Sequence, residues 1–305
     1  MGLRIRTNTA SLNAQRRLGI STENLKDSMS KLASGKRINK AADDAAGLAV
    51  SENLRADIRS LNMAKRNAMD GISLVQTAEG GLVETSNMLI RLRELAIQSA
   101  SDTIGNTERE FLDKEFLQLK DEIDRIANST EFNGTRLLVG TSEVPEEMQT
   151  NANEFPLEIH VGKDYFETSD AIDAPNPVNI IKIDFSKLNG YTTGDGSLDI
   201  GRAEEGTRVN AKQSAQLSIA KLDEAITRVN DHRAYLGAIQ NRLGSTVQNI
   251  GIQVENLSES KSRIVDTDFA AETATMTQNN ILQQAGTAIL ANANQQPQIA
   301  LSLLG

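Results

Sequence analysis

The 305-residue sequence has no cysteine and no tryptophan, and its other aromatics are seven Phe and three Tyr. Without cysteine there are no disulfides and no thiolate metal sites, which is compatible with export but does not demand it. So few aromatics, beside plentiful Ala, Leu, Asn, Ser and Thr, suit helix–helix seams better than a thick globular core. No apolar run reaches about eighteen residues and no signal-peptide hydrophobic segment follows Met1. The expectation is a chain that neither spans a membrane nor follows the standard secretory route. Histidine is limited to His160 and His232, far apart and outside any His-Glu-x-x-His metal motif. Gly194-Asp195-Gly196 lacks the glycine or lysine that would complete a phosphate loop, and Asp43-Asp44 have no His or further carboxylates nearby. Nothing here points to an enzyme, a metal or a cofactor.

Charge is unevenly placed. The net charge is −9, yet residues 1–66 hold thirteen Lys/Arg against six Asp/Glu, a balance of +7. Residues 141–205 hold four against fourteen, a balance of −10, and after Arg263 the only charged residues are Asp266, Asp268 and Glu272. A basic start reads first as a solvated face, but the acidic C-terminal end makes pairing of the two ends plausible. The basic residues are dispersed and have no interleaved aromatics, which argues against nucleic-acid binding.

What is present in quantity is heptad periodicity. Leu54, Leu61, Ala68, Val75, Leu82, Leu89 and Ala96 recur every seven residues, and Ala64, Gly71, Ala78, Thr85, Leu92 and Ser99 form a companion stripe of mostly small residues. Such a repeat is the pattern of a helix packed lengthwise on another helix. From Gly47 to Ser99 that helix is roughly 80 Å long. Its partner is found near the other end of the chain. Leu222, Val229, Leu236, Leu243, Ile250, Leu257 and Ile264 are again seven apart, over roughly 70 Å. Ile226, Val247 and Val254 join that seam, and Arg233, Gln240 and Lys261 interrupt it.

The rest follows in order. Residues 1–34 read as an amphipathic helix with the stripe Ile5, Leu12, Leu18, Leu25 and Leu32, with Met29 beside it, ended by Gly35. Ala41 to Gly47 opens the long helix, with Asp43 or Asp44 as N-cap. A third helix carries Phe111, Leu112, Phe116, Leu119, Ile123 and Ile126. Asn106 or Thr107 is its expected cap, with Glu110 completing a capping box, and Asn128-Ser129-Thr130 ends it. Asn133-Gly134 is a tight-turn signal. Residues 135–205 hold four of the five prolines, and Phe155, Leu157, Ile159 and Val161, then Ile181, Ile183 and Phe185, alternate as strands do. Last come Met276, Ile281, Leu282, Ala285, Ala288 and Ile289, then a tail with Pro297, Ile299, Leu301, Leu303 and Leu304.

The expected fold is mainly α: an elongated coiled-coil rod of long antiparallel helices from both chain ends, with a small β-hairpin and strand region mid-chain. The divisions fall at 1–40, 41–140, 141–205, 206–265 and 266–305. The outermost segments carry narrow apolar stripes that one partner helix cannot cover, and a two-helix hairpin of that size buries too little to stand alone. Completion by other copies, through an operator that does not close, gives a helical filament.

The chain also resembles bacterial flagellin, the filament subunit of the flagellum. The residues that carry the resemblance are Ile5-Arg6-Thr7-Asn8, Leu32 to Asn39, Ala41 to Gly47, Arg66 to Ser73, Arg91 to Ala96 and Glu131-Phe132-Asn133-Gly134. Ile281 to Gly286 and Gln295-Gln296-Pro297-Gln298 match near the other end. The resemblance covers about 1–140 and 205–305. It implies a structural, extracellular, self-polymerising subunit for swimming motility, of a minimal two-shell type whose terminal helices line the filament channel. It implies export through the flagellar type III apparatus, a flagellin chaperone on the C-terminal helix, and assembly with the filament cap and hook–filament junction proteins. Filament assembly falls to the terminal stripes Ile5, Leu12, Leu18, Leu25, Leu32, Ile281, Leu282, Ala285, Ile289, Leu301 and Leu304. The rod seam falls to Leu54, Leu61, Val75, Leu82, Leu89, Leu222, Val229, Leu236, Leu243, Ile250 and Leu257. By motif match, Arg91, Leu95 and Glu115 correspond to the contact for the innate-immune flagellin receptor, Toll-like receptor 5, although Leu95 also fits a seam. The competing readings are a hook–filament junction protein, which shares terminal features, and a chemoreceptor-like coiled coil, which would need transmembrane sequence that is absent.

Overall fold

The computed structural model describes residues 8–140, 156–164, 179–186, 188–192, 197–201 and 206–302, for 296–302 the backbone alone. Its elements in order are α1 (Thr9–Ser34), α2 (Ala45–Ser99), α3 (Asn106–Ser129), β1 (Glu131–Phe132), β2 (Thr135–Arg136), β3 (Leu157–His160), β4 (Ile180–Ile183), α4 (Lys212–Val265) and α5 (Phe269–Ser302). The described residues are mainly helical, with two small antiparallel strand pairs.

The helix ends show why these stretches start and stop where they do. Asn8 caps α1, its Oδ1 accepting from the Ser11 N–H at 3.0 Å, and Gly35 ends it at φ 71°, a conformation glycine adopts without a Cβ clash. The expectation that α2 opens at Ala41 is corrected: it begins at Ala45. The Asp43 carboxylate accepts from the Asn39 and Lys40 N–H groups, both at 2.9 Å, and so closes a turn over 39–43. Those two bonds hold the Asp43 carboxyl below its ordinary range. Asp44 is then the residue that caps α2, accepting from the Gly47 N–H at 2.8 Å. The expected cap of α3 is also corrected. Its N-cap is Gly105, which offers no side chain, because Asn106 Oδ1 is already engaged by Arg109 Nη1. Asn133 (φ 50°) and Gly134 (φ 79°) form a two-residue turn with both φ positive, joining β1 to β2. At the C-terminal end α5 does not give way to a tail before Pro297; it runs on to Ser302. Asp268 caps its start by accepting from the Ala270 and Ala271 N–H groups.

The described chain forms two compact units, one of Met1–Ile58 with Glu255–Gly305 and one of Arg59–Val254. In the second, both stripes of α2 face inward. Ala68, Val75, Leu82, Leu89 and Ala96 are buried, and so are Ala64, Gly71, Ala78, Thr85, Leu92 and Ser99. Of these, Ala68, Val75, Ala78, Leu82, Leu89, Leu92 and Ala96 share one core with Leu222, Val229, Leu236 and Leu243 of α4 and with Phe116, Ile123 and Ala127 of α3. Small residues on α2 admit close neighbours: a Cβ at Gly71 of the second stripe would collide with Ile159 Cδ1, and one at Gly81, beside the first stripe, would lie 2.6 Å from Thr130 Oγ1 and 2.7 Å from Leu138 Cδ1. Leu61 and Ile250 are buried beyond this cluster. The β3–β4 pair sets Leu157 opposite Ile183 and Ile159 opposite Ile181, with the outward Lys182 bonded to Glu158 at 2.7 Å. Ile181, Ile183, Phe185, Leu188, Leu198 and Ile200 complete the core, so the described mid-chain is packed structure.

In the first unit α1 and α5 lie against each other, antiparallel. The connecting residues are tied as well: the Arg37 N–H donates to Val265 O at 2.6 Å, the Thr267 N–H to Gly35 O at 3.1 Å, and Arg37 Nη2 to Ile264 O at 2.8 Å. Leu54 and Leu257 are half-buried here.

Candidate assembly surfaces

The α1–α5 pair is held by small and polar side chains. Ser11, Ser21 and Ser28 are the buried residues of α1, and Asn279 and Ala293 those of α5 among the described side chains. Asn8 Nδ2 donates to Ala293 O at 2.7 Å, Ser11 Oγ to Asn294 Oδ1 at 2.8 Å and Ser21 Oγ to Asn279 O at 3.2 Å. Gly286 brings the helices close, since a Cβ there would stand 3.3 Å from Leu18 Cδ1. The large apolar residues mostly remain outside. Leu12 is 58% exposed, Ile281 61% and Ile289 60%; Leu282, Ile20, Met29 and Phe269 are exposed too. Of the predicted stripe, Leu18, Leu25 and Leu32 are half-buried and Ala285 is exposed, while Ile5 and Leu304 lie outside the described residues, as does the side chain of Leu301. Exposed leucines and isoleucines along two adjacent helices are a surface without its partner.

The second unit carries the other predicted surface. Arg91 Nε and Nη2 both bond Glu115 Oε1, at 3.0 and 2.8 Å, and Arg91 Nη1 bonds Glu94 at 3.0 Å. Glu115 first, then Glu94, raises the Arg91 pKa. This links α2 to α3 at the surface. Leu95 is not beside them in solvent: it is fully buried in the core.

Sequence reasoning missed a row of buried polar residues on α3. Arg109, Asp113, Lys120 and Asp124 recur at helical spacing and are all buried. Arg109 donates to Ser99 O at 2.9 Å and Ser101 O at 2.8 Å, satisfying carbonyls at the end of α2. Asp113 accepts from Arg208 Nη2 at 2.6 Å and from the Val209 N–H at 2.9 Å. Lys120 Nζ donates to Thr207 O at 3.2 Å, and Asp124 accepts from the Thr192 N–H at 2.8 Å and its hydroxyl at 3.0 Å. Asp113, Lys120 and Asp124 therefore bind the returning chain, largely through its backbone. The only signal in the sequence was charge on what would otherwise be the apolar face of α3.

Chemistry does not gather anywhere comparable. Among the described residues there is no group of three or more His, Asp or Glu that could hold a metal ion. The carbonyl of His160 on β3 accepts from Asn67 Nδ2 at 3.0 Å, and His232 is half-buried on α4. No helix among the described residues is long and apolar enough to cross a membrane.

Two family profiles match the chain: the bacterial flagellin N-terminal helical region over residues 5–143, and the bacterial flagellin C-terminal helical region over residues 219–304. A flagellin of Bacillus subtilis (strain 168) is 42% identical over 313 aligned positions, covering 99% of this chain and 100% of the relative. The flagellar filament 33 kDa core protein of Treponema phagedenis is 40% identical over 300, covering 98% of this chain and 99% of the relative. The crystal structure of Bacillus cereus flagellin aligns with a TM-score of 0.46 at 33% identity, over 61% of this chain and 88% of that one. With profiles at both ends and near full-length relatives, the chain belongs to the bacterial flagellin family.

Proposed function

We propose that the exposed apolar faces of α1 and α5 are the surfaces on which copies of this chain assemble into the flagellar filament. As a flagellin it is a structural subunit that self-polymerises into the extracellular flagellum, and it is not an enzyme. The observation that carries the placement is the inverted seam: serine and asparagine bind α1 to α5, while Leu12, Ile281, Leu282 and Ile289 stay in solvent. A single chain leaves that surface uncovered, and a non-closing repeat of it buries it along a fibre. The seam residues Leu61, Val75, Leu82, Leu89, Leu222, Val229, Leu236, Leu243 and Ile250 have a different task, to keep each subunit folded. Residues 1–40 with 266–305 form the innermost part in this reading. Residues 41–140 with 206–265 form the next, and 141–205 the outermost.

The test is Ile281→Asp with Ile289→Asp. Both side chains are exposed, so monomer stability should shift by less than about 0.5 kcal/mol in urea titration. Seeded polymerisation followed by electron microscopy should yield no filaments. Filaments of wild-type length would remove these faces from the assembly.

The finer partners rest on the family resemblance. Export runs through the flagellar type III apparatus without a cleaved signal peptide. A flagellin chaperone covers α5 beforehand, where Phe269, Ala270, Thr273, Ala274, Ile281 and Leu282 line an open groove. The cap and hook–filament junction proteins meet the growing and basal ends. For Toll-like receptor 5, the surface contacts are Arg91 on α2 and Glu115 on α3, with the buried Leu95 holding α2 in place. Soluble monomer should activate a receptor reporter and Arg91→Ala should weaken that response at least tenfold; silence of the wild-type monomer at every dose ends this reading.

A further inference from the structure

One face of α4 carries Lys221, Arg228, His232 and Tyr235, each three, four or seven residues from the next. Three of them hold the mid-chain down. Lys221 Nζ bonds Asp199 Oδ2 at 2.6 Å, Arg228 Nη1 donates to the Ser197 carbonyl, and the Tyr235 hydroxyl accepts from the Asp184 N–H at 3.0 Å. His232 stands between Arg228 and Tyr235 in this row, one heptad from the buried Ala225 and Ile239, and makes no such bond. Its Nε2 is buried without a hydrogen-bond partner. We propose that His232 is an acid-sensitive latch: while neutral it lets residues 184–186 and 197–201 lie on α4, and when protonated it drives them off.

The reason is local. An imidazolium here would carry a buried charge one turn from the Arg228 guanidinium. Among the described residues, the charges acting on the ring are Arg228, which opposes protonation, and Asp231, which favours it. The docked segment contributes Asp184, which accepts from Ser186, and Asp199, which is held by Lys221. Burial is the largest influence and, with Arg228, pushes the ring below the ordinary histidine value of 6.5. Once the segment lifts, the ring regains its ordinary value. The open state therefore binds a proton that the closed state excludes, and opening gains as pH falls from 6.5 toward the lowered value. Within that window each pH unit raises the open fraction by up to about tenfold. The Asp199 carboxyl, pulled down by its bond to Lys221, stays ionised throughout.

The experiment is hydrogen exchange on the full-length monomer between pH 7.5 and 5.5, corrected for intrinsic exchange rate. Leu198, Ile200 and Gly201 are the reporters, because their N–H groups bond Tyr191 O and Thr192 O. Their protection should be flat above pH 6.5 and fall by up to about tenfold per unit below it, while amides near Leu236 keep theirs. His232→Gln should abolish the fall. Flat protection in the wild type, or an unchanged fall in the variant, overturns the latch. If the variant does not fold, the His232 ring resonance of the wild type decides. Titration below 6.5 together with the loss of protection supports the proposal, and titration at 6.5 or above overturns it.

Discussion

Among the described residues, Lys120 stands out for its environment. It has no exposed surface, its Nζ donates to Thr207 O, and Asp113 and Asp124 lie within electrostatic reach. Burial outweighs those carboxylates and brings its pKa down to about 8 from the usual 10.5. The sign of the pH dependence follows. Below pH 8 the ammonium is charged in both folded and unfolded chains. Between 8 and 10.5 the folded chain releases a proton that the unfolded chain keeps, so folding is increasingly favoured as pH rises. Lys120→Met removes this contribution. The difference in unfolding free energy, wild type minus variant, should therefore grow by about 3 kcal/mol from pH 8 to 10.5. Urea titrations at three pH values check it, and a difference that stays constant would falsify the assignment. None of this was legible beforehand, because the burial of a lysine depends on which segment packs over it, and here that segment is Thr207, far along the chain.

At the level of elements, the long seams were legible and the short terminal seam was not. A heptad stripe such as Val75–Leu82–Leu89 specifies burial because the residues are large, apolar and in phase, and one face of α2 buries them all. For α1 the same rule pointed to Leu12, Leu18, Leu25 and Leu32, but the pair closes through Ser11, Ser21 and Gly286. Small residues win that contact because they let the backbones approach and donate hydrogen bonds across it. The leucines are left for the assembly surface proposed above, whose other half lies on another copy of the chain. A cap was legible at Asp44; it was missed at Asn8, inside a stretch read as helix from residue 1, and at Gly105, where backbone alone starts the helix. The contrast within α4 can be measured. Leu236 is fully buried, so Leu236→Ala should cost about 3 kcal/mol. Ile252 is 60% exposed on the same helix, and Ile252→Ala should cost less than about 0.5 kcal/mol. Equal losses in urea would show that the heptad seam is not what holds α4.

For the chain as a whole, the apolar core and the proposed assembly faces draw on different residues. Every member of the large core cluster lies between Ala68 and Leu243, inside the unit of Arg59–Val254. The exposed apolar faces of α1 and α5 lie outside it. Stability of the monomer and the capacity to polymerise should then be separable by deletion. Removing residues 266–305 takes away α5 and leaves α1 without the acceptors at Asn279, Ala293 and Asn294. Helices in proteins draw most of their stability from tertiary packing, and α1 would have lost its partner, so it should melt as well. The cooperative urea transition of the core should survive with its midpoint nearly unchanged, since no core side chain has been removed. Circular dichroism should lose the signal of both terminal helices, and seeded growth should give no filament. A truncated chain that still adds to seeds would mean that the assembly contacts reside in the unit of α2, α3 and α4. A truncated chain without a cooperative transition would mean that the terminal pair also supports the core.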